Sequence, residues 1–305
     1  MIDLSVRIGT LELTNPVMVA SGCFGTGREY SEIYDINRLG GIITKTVTVQ
    51  PRMGNPMPRV WETPSGMLNS IGLANPGIDK FLSSELPFLE GLECVRIVSV
   101  AGATLDDYAK LVERLDGFDS VDGFEVNVSC PNVKLGGLAF GTDSSTVHGL
   151  TKRLRALTDK PLWIKLTPNV TDIVEIGKAA VEGGADALVA INTLIAMDID
   201  INSRKPRLGN ITGGLSGPSI RPVALAKIFA LHREMPDVPI IGVGGIGEPA
   251  DAIAHLIAGA TAVEIGSGQF PRPLLPLEVL EGIIDYCEVY GYTRTSDLIG
   301  DIVLP

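Results

Sequence analysis

Short runs of β-branched and aliphatic residues alternate with longer amphipathic stretches along almost the whole chain, the pattern of repeated βα units around a parallel sheet. The apolar runs predict strands at residues 16–20, 41–45, 93–99, 123–127, 162–166, 187–192, 240–244 and 262–266. Apolar positions at helical spacing predict helices at 29–39, 77–89, 104–115, 144–157, 171–183, 221–233, 249–258 and near 276–290. Eight such strands predict a closed (β/α)8 TIM barrel in the α/β class, with residues 1–305 as one domain. The segment 4–13, with Gly9-Thr10 at its middle, predicts a β-hairpin closing the bottom of the barrel.

Three connections that follow predicted strands, 46–76, 130–143 and 193–219, are too long to be simple links. Long βα loops on a barrel lie at the face where active sites are built. A solvated insertion explains any one of them equally well. All three, however, carry or adjoin polar residues in apolar or glycine-rich settings: Asn69, Asn75, Asn132, Asn192 and Thr193. Polar side chains also fall at the carboxyl ends of strands, at Lys45, Asn127, Lys165 and Asn192. A buried lysine or amide costs free energy unless it is paired. One alone reads as a structural hydrogen bond, whereas four together favour an anionic or highly polar planar ligand.

Charge narrows the choice of partner. With 36 acidic and 25 basic side chains the net charge is −11, which repels a phosphate polymer, so nucleic acid is not expected as a partner. No apolar run reaches the roughly 18 residues of a membrane span. The start, with Asp3 and no basic stretch leading into an apolar one, does not read as a secretory signal, and a cytoplasmic location is expected. The four cysteines, Cys23, Cys94, Cys130 and Cys287, include no Cys-x-x-Cys pair and do not cluster with His148, His232 and His255. Neither a disulfide framework nor a bound metal is expected.

Gly242-Val-Gly-Gly-Ile-Gly247 and Ile265-Gly-Ser-Gly268 follow the seventh and eighth strands, where barrels commonly bind a phosphate through backbone amides. The first also matches Gly-x-Gly-x-x-Gly, with Glu264 about 20 residues on, as in a dinucleotide-binding unit. Six βα units precede it and only about 60 residues follow, too few for the rest of a doubly wound domain. A free cysteine is ordinarily a small buried hydrophobe, and Cys23, Cys94 and Cys287 are read so, Cys23 the least firmly because it sits in a glycine-rich loop. Cys130 opens a long loop between Asn127 and Asn132 with Pro131 restricting the backbone. A thiolate there could act as nucleophile or base, and the lack of a histidine at a strand end argues against a hydrolase and favours general-base chemistry.

Four segments carry a resemblance: Ala20-Ser-Gly-Cys-Phe-Gly-Thr-Gly-Arg-Glu29, Thr44-Lys-Thr46, Glu62-Thr-Pro-Ser-Gly-Met-Leu-Asn-Ser-Ile-Gly-Leu-Ala-Asn-Pro-Gly77 and Asn127-Val-Ser-Cys-Pro-Asn132. With them the chain resembles dihydroorotate dehydrogenase over essentially its full length. Cysteine at the base position is similar to class 1, since class 2 uses serine there, and the 44–77 stretch is closest to class 1B, the NAD-dependent form. The resemblance implies oxidation of (S)-dihydroorotate to orotate in de novo pyrimidine (UMP) biosynthesis. It implies one FMN per chain, with the phosphate on the amides of Gly244, Gly245, Gly266 and Ser267, and the ring near Ser21, Lys45, Thr46, Ser99, Asn127, Lys165, Ile191 and Gly217. Dihydroorotate is then held by Lys45, Asn69, Ser70, Ile71, Gly72, Leu73, Asn127, Asn132, Asn192 and Thr193. Cys130 is implied as the base that removes the C5 proton, with Lys165 stabilising negative charge on the reduced ring.

The resemblance further implies a partner subunit carrying FAD and a 2Fe-2S cluster that passes electrons to NAD+, and a homodimer of catalytic chains within a heterotetramer. Alternatives remain: a class 1A-like homodimer reducing fumarate, a barrel lyase using Lys45 or Lys165 as a Schiff base, and a non-catalytic flavin-binding electron carrier.

Overall fold

The computed structural model describes residues 2–128 and 140–305. The chain opens with an antiparallel hairpin, β1 (Val6–Ile8) and β2 (Leu11–Leu13), turned by Gly9-Thr10. The barrel strands follow in chain order: β3 (Val17–Val19), β4 (Gly41–Ile43), β7 (Val95–Val100), β8 (Gly123–Asn127), β9 (Leu162–Lys165), β10 (Ala187–Ala190), β15 (Ile240–Val243) and β16 (Ala262–Ile265). Each pairs in parallel with the next, and β16 pairs with β3 to close the ring. Outside the barrel lie β5 (Val60–Thr63), β6 (Gly66–Asn69), β11 (Leu194–Ala196), β12 (Ile199–Asp200), β13 (Lys205–Pro206) and β14 (Gly213–Ser216).

Strand residues alternate between two environments because successive side chains leave a strand on opposite faces. Phe124, Val126, Leu162, Ile164 and Leu188 point outward into the layer packed under the helices. Met18, Ile43, Ile97, Trp163, Val189 and Ile241 point inward and form a separate apolar plug, sealed from below by Val6, Ile8 and Leu13 of the hairpin. Trp163 is its largest member and is fully buried. The plug raises the floor of the barrel, so that inward residues one step further along each strand form the base of a cavity.

Helices begin where the sequence supplies a cap. The Thr104 hydroxyl accepts from the Asp107 amide at 3.2 Å and the Asp107 carboxylate accepts from the Thr104 amide at 3.0 Å, a reciprocal capping box that starts Leu105–Asp116. Asp143 and Asp172 cap Ser144–Arg155 and Ile173–Glu182 in the same way from one side. No described helix is long and apolar enough to cross a membrane.

Three sequence expectations need correction. Residues 29–39 form two short 3-10 turns, Tyr30–Glu32 and Ile36–Arg38, rather than a helix. Asp35 between them is extended and its carboxylate accepts from the Asn37 amide at 3.0 Å, a local bond that competes with helix continuation. Residues 77–89 are helical but widen into a π-turn at Phe81–Glu85, just before Pro87, which has no amide to donate. The connections 46–76 and 193–219 are not loops throughout. They contribute β5, β6, β11 and β14 to one four-stranded antiparallel sheet in the order β11-β14-β6-β5. That sheet ties two connections 145 residues apart, through pairs such as Gly214 with Asn69.

Candidate active site

A cavity of about 460 Å³ opens at the carboxyl ends of the barrel strands, within the size range of small-molecule sites. Its floor is set by two strand periods. Glu125 and Asn127 share the inward face of β8, and Trp163 and Lys165 share that of β9, with Asn127 in register with Lys165. Lys165 reaches down rather than out. Its ammonium lies 3.0 Å from a Glu125 oxygen and 2.9 Å from a Glu264 oxygen, and both carboxylates are fully buried. Burial pulls the Lys165 ammonium toward losing its proton, but the charges of Glu125 and Glu264 outweigh it and the net shift is upward. Lys165 therefore stays cationic.

The Ser99 hydroxyl donates to the other Glu125 oxygen at 3.0 Å and stands 3.0 Å from the Thr46 hydroxyl. Ser99 is thus one layer below the cavity, whereas Thr46 lines it. Lys45 lines it too, beside Gly22, where a Cβ would come 3.6 Å from the Lys45 ammonium. Burial draws the Lys45 ammonium down, partly offset by the Cys23 thiol.

The wall opposite the glycines is amide-rich. Asn192 donates to the Asn127 side-chain oxygen at 3.4 Å, and its own oxygen accepts from the Thr193 amide at 2.8 Å. Asn127 is further fixed by Tyr108, whose hydroxyl donates to the Asn127 carbonyl at 2.9 Å. Residues 69–73 all line the cavity. Leu73 there holds φ at 56°, a left-handed backbone that costs a leucine about 1–2 kcal/mol. Asn75 stabilises it by donating to the Leu73 carbonyl at 2.7 Å while accepting from the Thr48 and Gly77 amides, so this asparagine serves the loop and not the cavity.

At the far end, Gly217, Gly244 and Gly245 have φ of 102°, 122° and 78°. A Cβ on Gly245 would stand 2.5 Å from the Arg221 Cβ, and one on Gly217 would stand 2.5 Å from the Gly66 Cα. Gly266 differs: its Cβ would project into the cavity, 3.8 Å or more from any neighbour. Among the described residues, the amides of Gly244, Gly245, Gly266 and Ser267 donate in no loop, turn or cap bond to another backbone group. All four residues line the cavity. The Ser267 hydroxyl donates to Ser216 at 2.9 Å, linking this end to β14.

A family model for dihydroorotate dehydrogenase matches residues 3–286. The chain belongs to the dihydroorotate dehydrogenase family. It is therefore an oxidoreductase of a flavin-dependent family. It is 50% identical over 300 residues to the dihydroorotate dehydrogenase B (NAD(+)) catalytic subunit of Alkaliphilus oremlandii, covering 98% of this chain and 99% of that one. It is 50% identical over 298 residues to the protein of the same name from Geotalea daltonii, covering 98% and 97%. The fold is similar to that of the dihydroorotate dehydrogenase of Eimeria tenella in complex with ferulenol, with a TM-score of 0.81, 24% identity, and coverage of 98% of this chain and 88% of that one.

Of the site residues expected in a dihydroorotate dehydrogenase, the structure gathers Ser21, Lys45, Thr46, Asn127, Lys165, Ile191, Asn192, Thr193, the 69–73 loop and the glycine groups around one cavity, with Ser99 beneath it. Cys130 and Asn132 lie outside the described residues. Sequence reasoning missed Glu125, and took Glu264 only as the acidic residue of a dinucleotide motif. Both carried a readable signal, since each precedes a cavity residue, Asn127 or Gly266, by two positions and so shares its inward face. Cys23, read mainly as packing, lines the cavity. Among the described residues no group of three or more His, Cys, Asp or Glu side chains is arranged to hold a metal ion.

Proposed function

We propose that this chain is the catalytic subunit of an NAD-dependent dihydroorotate dehydrogenase, converting (S)-dihydroorotate to orotate in pyrimidine biosynthesis with FMN as its bound cofactor. The observation that carries the reading is a buried, cationic Lys165 at the base of a cavity lined by asparagines and by Gly244, Gly245, Gly266 and Ser267, whose amides make no loop, turn or cap bond to the backbone among the described residues.

The residues present fit FMN. The Gly244, Gly245, Gly266 and Ser267 amides would hold its phosphate, and Gly266 leaves space that any larger residue would fill. The ring would lie against Ser21, Lys45, Thr46, Asn127, Lys165, Ile191 and Gly217, with Ser99 supporting it from below through Glu125. When bound, FMN supplies a two-electron acceptor for the hydride released from the substrate.

The remaining work belongs to the chain. Lys165 keeps a fixed positive charge under the site, in a dry setting where such a charge acts without reorganisation. Lys45 offers a cation to the dihydroorotate carboxylate. Asn69, Asn127, Asn132, Asn192 and Thr193, with Ser70, Ile71, Gly72 and Leu73, bind a ring whose N–H and C=O groups alternate, a pattern that amide side chains match. Cys130 takes the proton from C5 as the C6 hydrogen leaves as hydride.

Electrons then leave through a partner subunit carrying FAD and a 2Fe-2S cluster, with two catalytic chains in a heterotetramer. The relatives bearing the name dihydroorotate dehydrogenase B (NAD(+)), catalytic subunit, support this over the fumarate-reducing alternative. Assaying the chain with dihydroorotate, with and without a co-expressed partner, tests it. NAD+ reduction only in the partner's presence is expected. Turnover with fumarate by the chain alone would overturn the NAD+ assignment.

A further inference from the structure

Lys165 has more counter-charge than it needs. One ammonium lies within 3.0 Å of two carboxylates, at Glu125 and Glu264, and all three side chains are buried. If both acids were ionised the group would hold a net negative charge inside the barrel. Removing a lone charge from water costs several kcal/mol, which a paired one recovers only in part. The hydrogen bonding is also uneven. Glu125 has an acceptor role at each oxygen, from Ser99 at 3.0 Å and from Lys165 at 3.0 Å. Glu264 receives Lys165 on one oxygen, and among the described residues its other oxygen has no donor. A bare, buried carboxylate oxygen is costly, and a neutral carboxyl removes most of that cost.

We propose that Glu125 and Glu264 are positioning residues that hold the Lys165 ammonium at the base of the cavity and keep one proton between them, so that the three side chains together are neutral beneath the cofactor. Among the described residues, the charged and titratable groups at this cluster are Lys165 on β9, Glu125 on β8, Glu264 on β16, Lys45 after β4 and Cys23 in the loop after β3. Burial pushes Glu264 up to about 8; Lys165 opposes the rise and Glu125 adds to it. The proton is therefore held through neutral pH and released above about pH 8, which adds one negative charge below the cavity. The fixed charge of Lys165 is the one that stabilises reduced cofactor. Its two carboxylates set how much of that charge is felt above.

The inference rests on the FMN reading, and two measurements separate their failures. The midpoint potential of FMN bound to the full chain is measured from pH 6 to 9, in the unsubstituted chain and in the Glu125→Gln, Glu264→Gln and doubly substituted variants. Glutamine mimics a protonated glutamate, so each single variant is expected to keep the starting oxidised-to-reduced equilibrium at pH 7 within about threefold. Glu264→Gln is expected to lose the extra fall in potential that the unsubstituted chain shows above about pH 8. The double variant removes both of these carboxylates from beside Lys165 and is expected to favour reduced FMN at least tenfold, about 30 mV for a two-electron couple. A tenfold rise in either single variant would show both acids ionised and overturn the shared proton. A double variant with the original potential would overturn the positioning role.

The second measurement needs no cofactor. Infrared spectra of the FMN-free chain at pH 7 are expected to show the carbonyl band of a buried protonated carboxyl that is absent from Glu264→Gln. An identical spectrum in the two chains overturns the proposal even if the double variant fails to fold. A chain that binds no FMN refutes the cofactor reading and leaves this infrared result standing.

Discussion

The Lys165 ammonium lies 2.9 Å from a Glu264 carboxylate oxygen although 99 residues separate them, and the contact spans the interior of the barrel from β9 to β16. It makes Lys165 part of the barrel's structure as well as of its site. Replacing Lys165 by Ala strands two buried acids, and loss of one partner from such a group typically costs about 3–5 kcal/mol. The expected result in urea unfolding is a loss of that order, with slower flavin reduction by dihydroorotate. A variant with the original stability, FMN content and reduction rate would remove both roles.

The thiols should separate by pH. Burial disfavours the thiolate and pushes Cys23 up to about 11, with Lys165 and Lys45 opposing, and pushes Cys94 up to about 12. Cys287 is raised by burial as well. Because these shifts are upward, all three stay neutral at pH 8, where an ordinary thiol of pKa about 8.5 is already partly ionised. Brief alkylation at pH 8 is expected to modify Cys130 first and to abolish flavin reduction, and mapping the label by mass spectrometry checks it. Flavin reduction by dihydroorotate should likewise accelerate with rising pH through the same range, and Cys130→Ala should reduce its flavin far more slowly than the unsubstituted chain.

The two glycine positions at the phosphate end predict different failures. Gly266→Val adds bulk that points into open cavity, 3.8 Å or more from any neighbour, so its main effect should be a loss of FMN affinity of at least tenfold. Gly245→Ala must accommodate φ of 78° and a Cβ 2.5 Å from the Arg221 Cβ, so it should lower the melting temperature of the FMN-free chain as well. Fluorescence titration with FMN and thermal unfolding of both variants distinguish the cases.

Asn127 and Asn192 hydrogen-bond each other while lining the cavity, and their effects should not add. Each alanine substitution removes hydrogen bonds worth about 1 kcal/mol apiece, so kcat/KM for dihydroorotate should fall about tenfold or more, and the double variant should fall by less than the product. Full multiplicativity would indicate that the pair does not act as a unit.

The barrel was legible because each strand is a short apolar run and each run is bounded by turn residues. All eight expected strands occur, with ends shifted by one or two residues, as at Pro16–Ala20 against Val17–Val19. The four-stranded sheet was not legible. Its strands are three or four residues long and largely exposed or glycine-rich, as in Val60–Thr63 and Gly213–Ser216, so neither apolar alternation nor length marks them. At the site, lysine and asparagine at strand ends stood out as polar residues terminating apolar runs. Glu125 was hidden within its strand, and its meaning depends on Lys165 and Glu264 arriving from elsewhere in the ring, which no local pattern announces.

Anaerobic titration of the FMN-loaded chain with dihydroorotate tests whether this cavity oxidises dihydroorotate at a bound FMN. The visible absorbance of the flavin is expected to bleach with one equivalent of dihydroorotate per FMN, with one equivalent of orotate formed. A fully FMN-loaded chain whose flavin stays oxidised with excess dihydroorotate would contradict it.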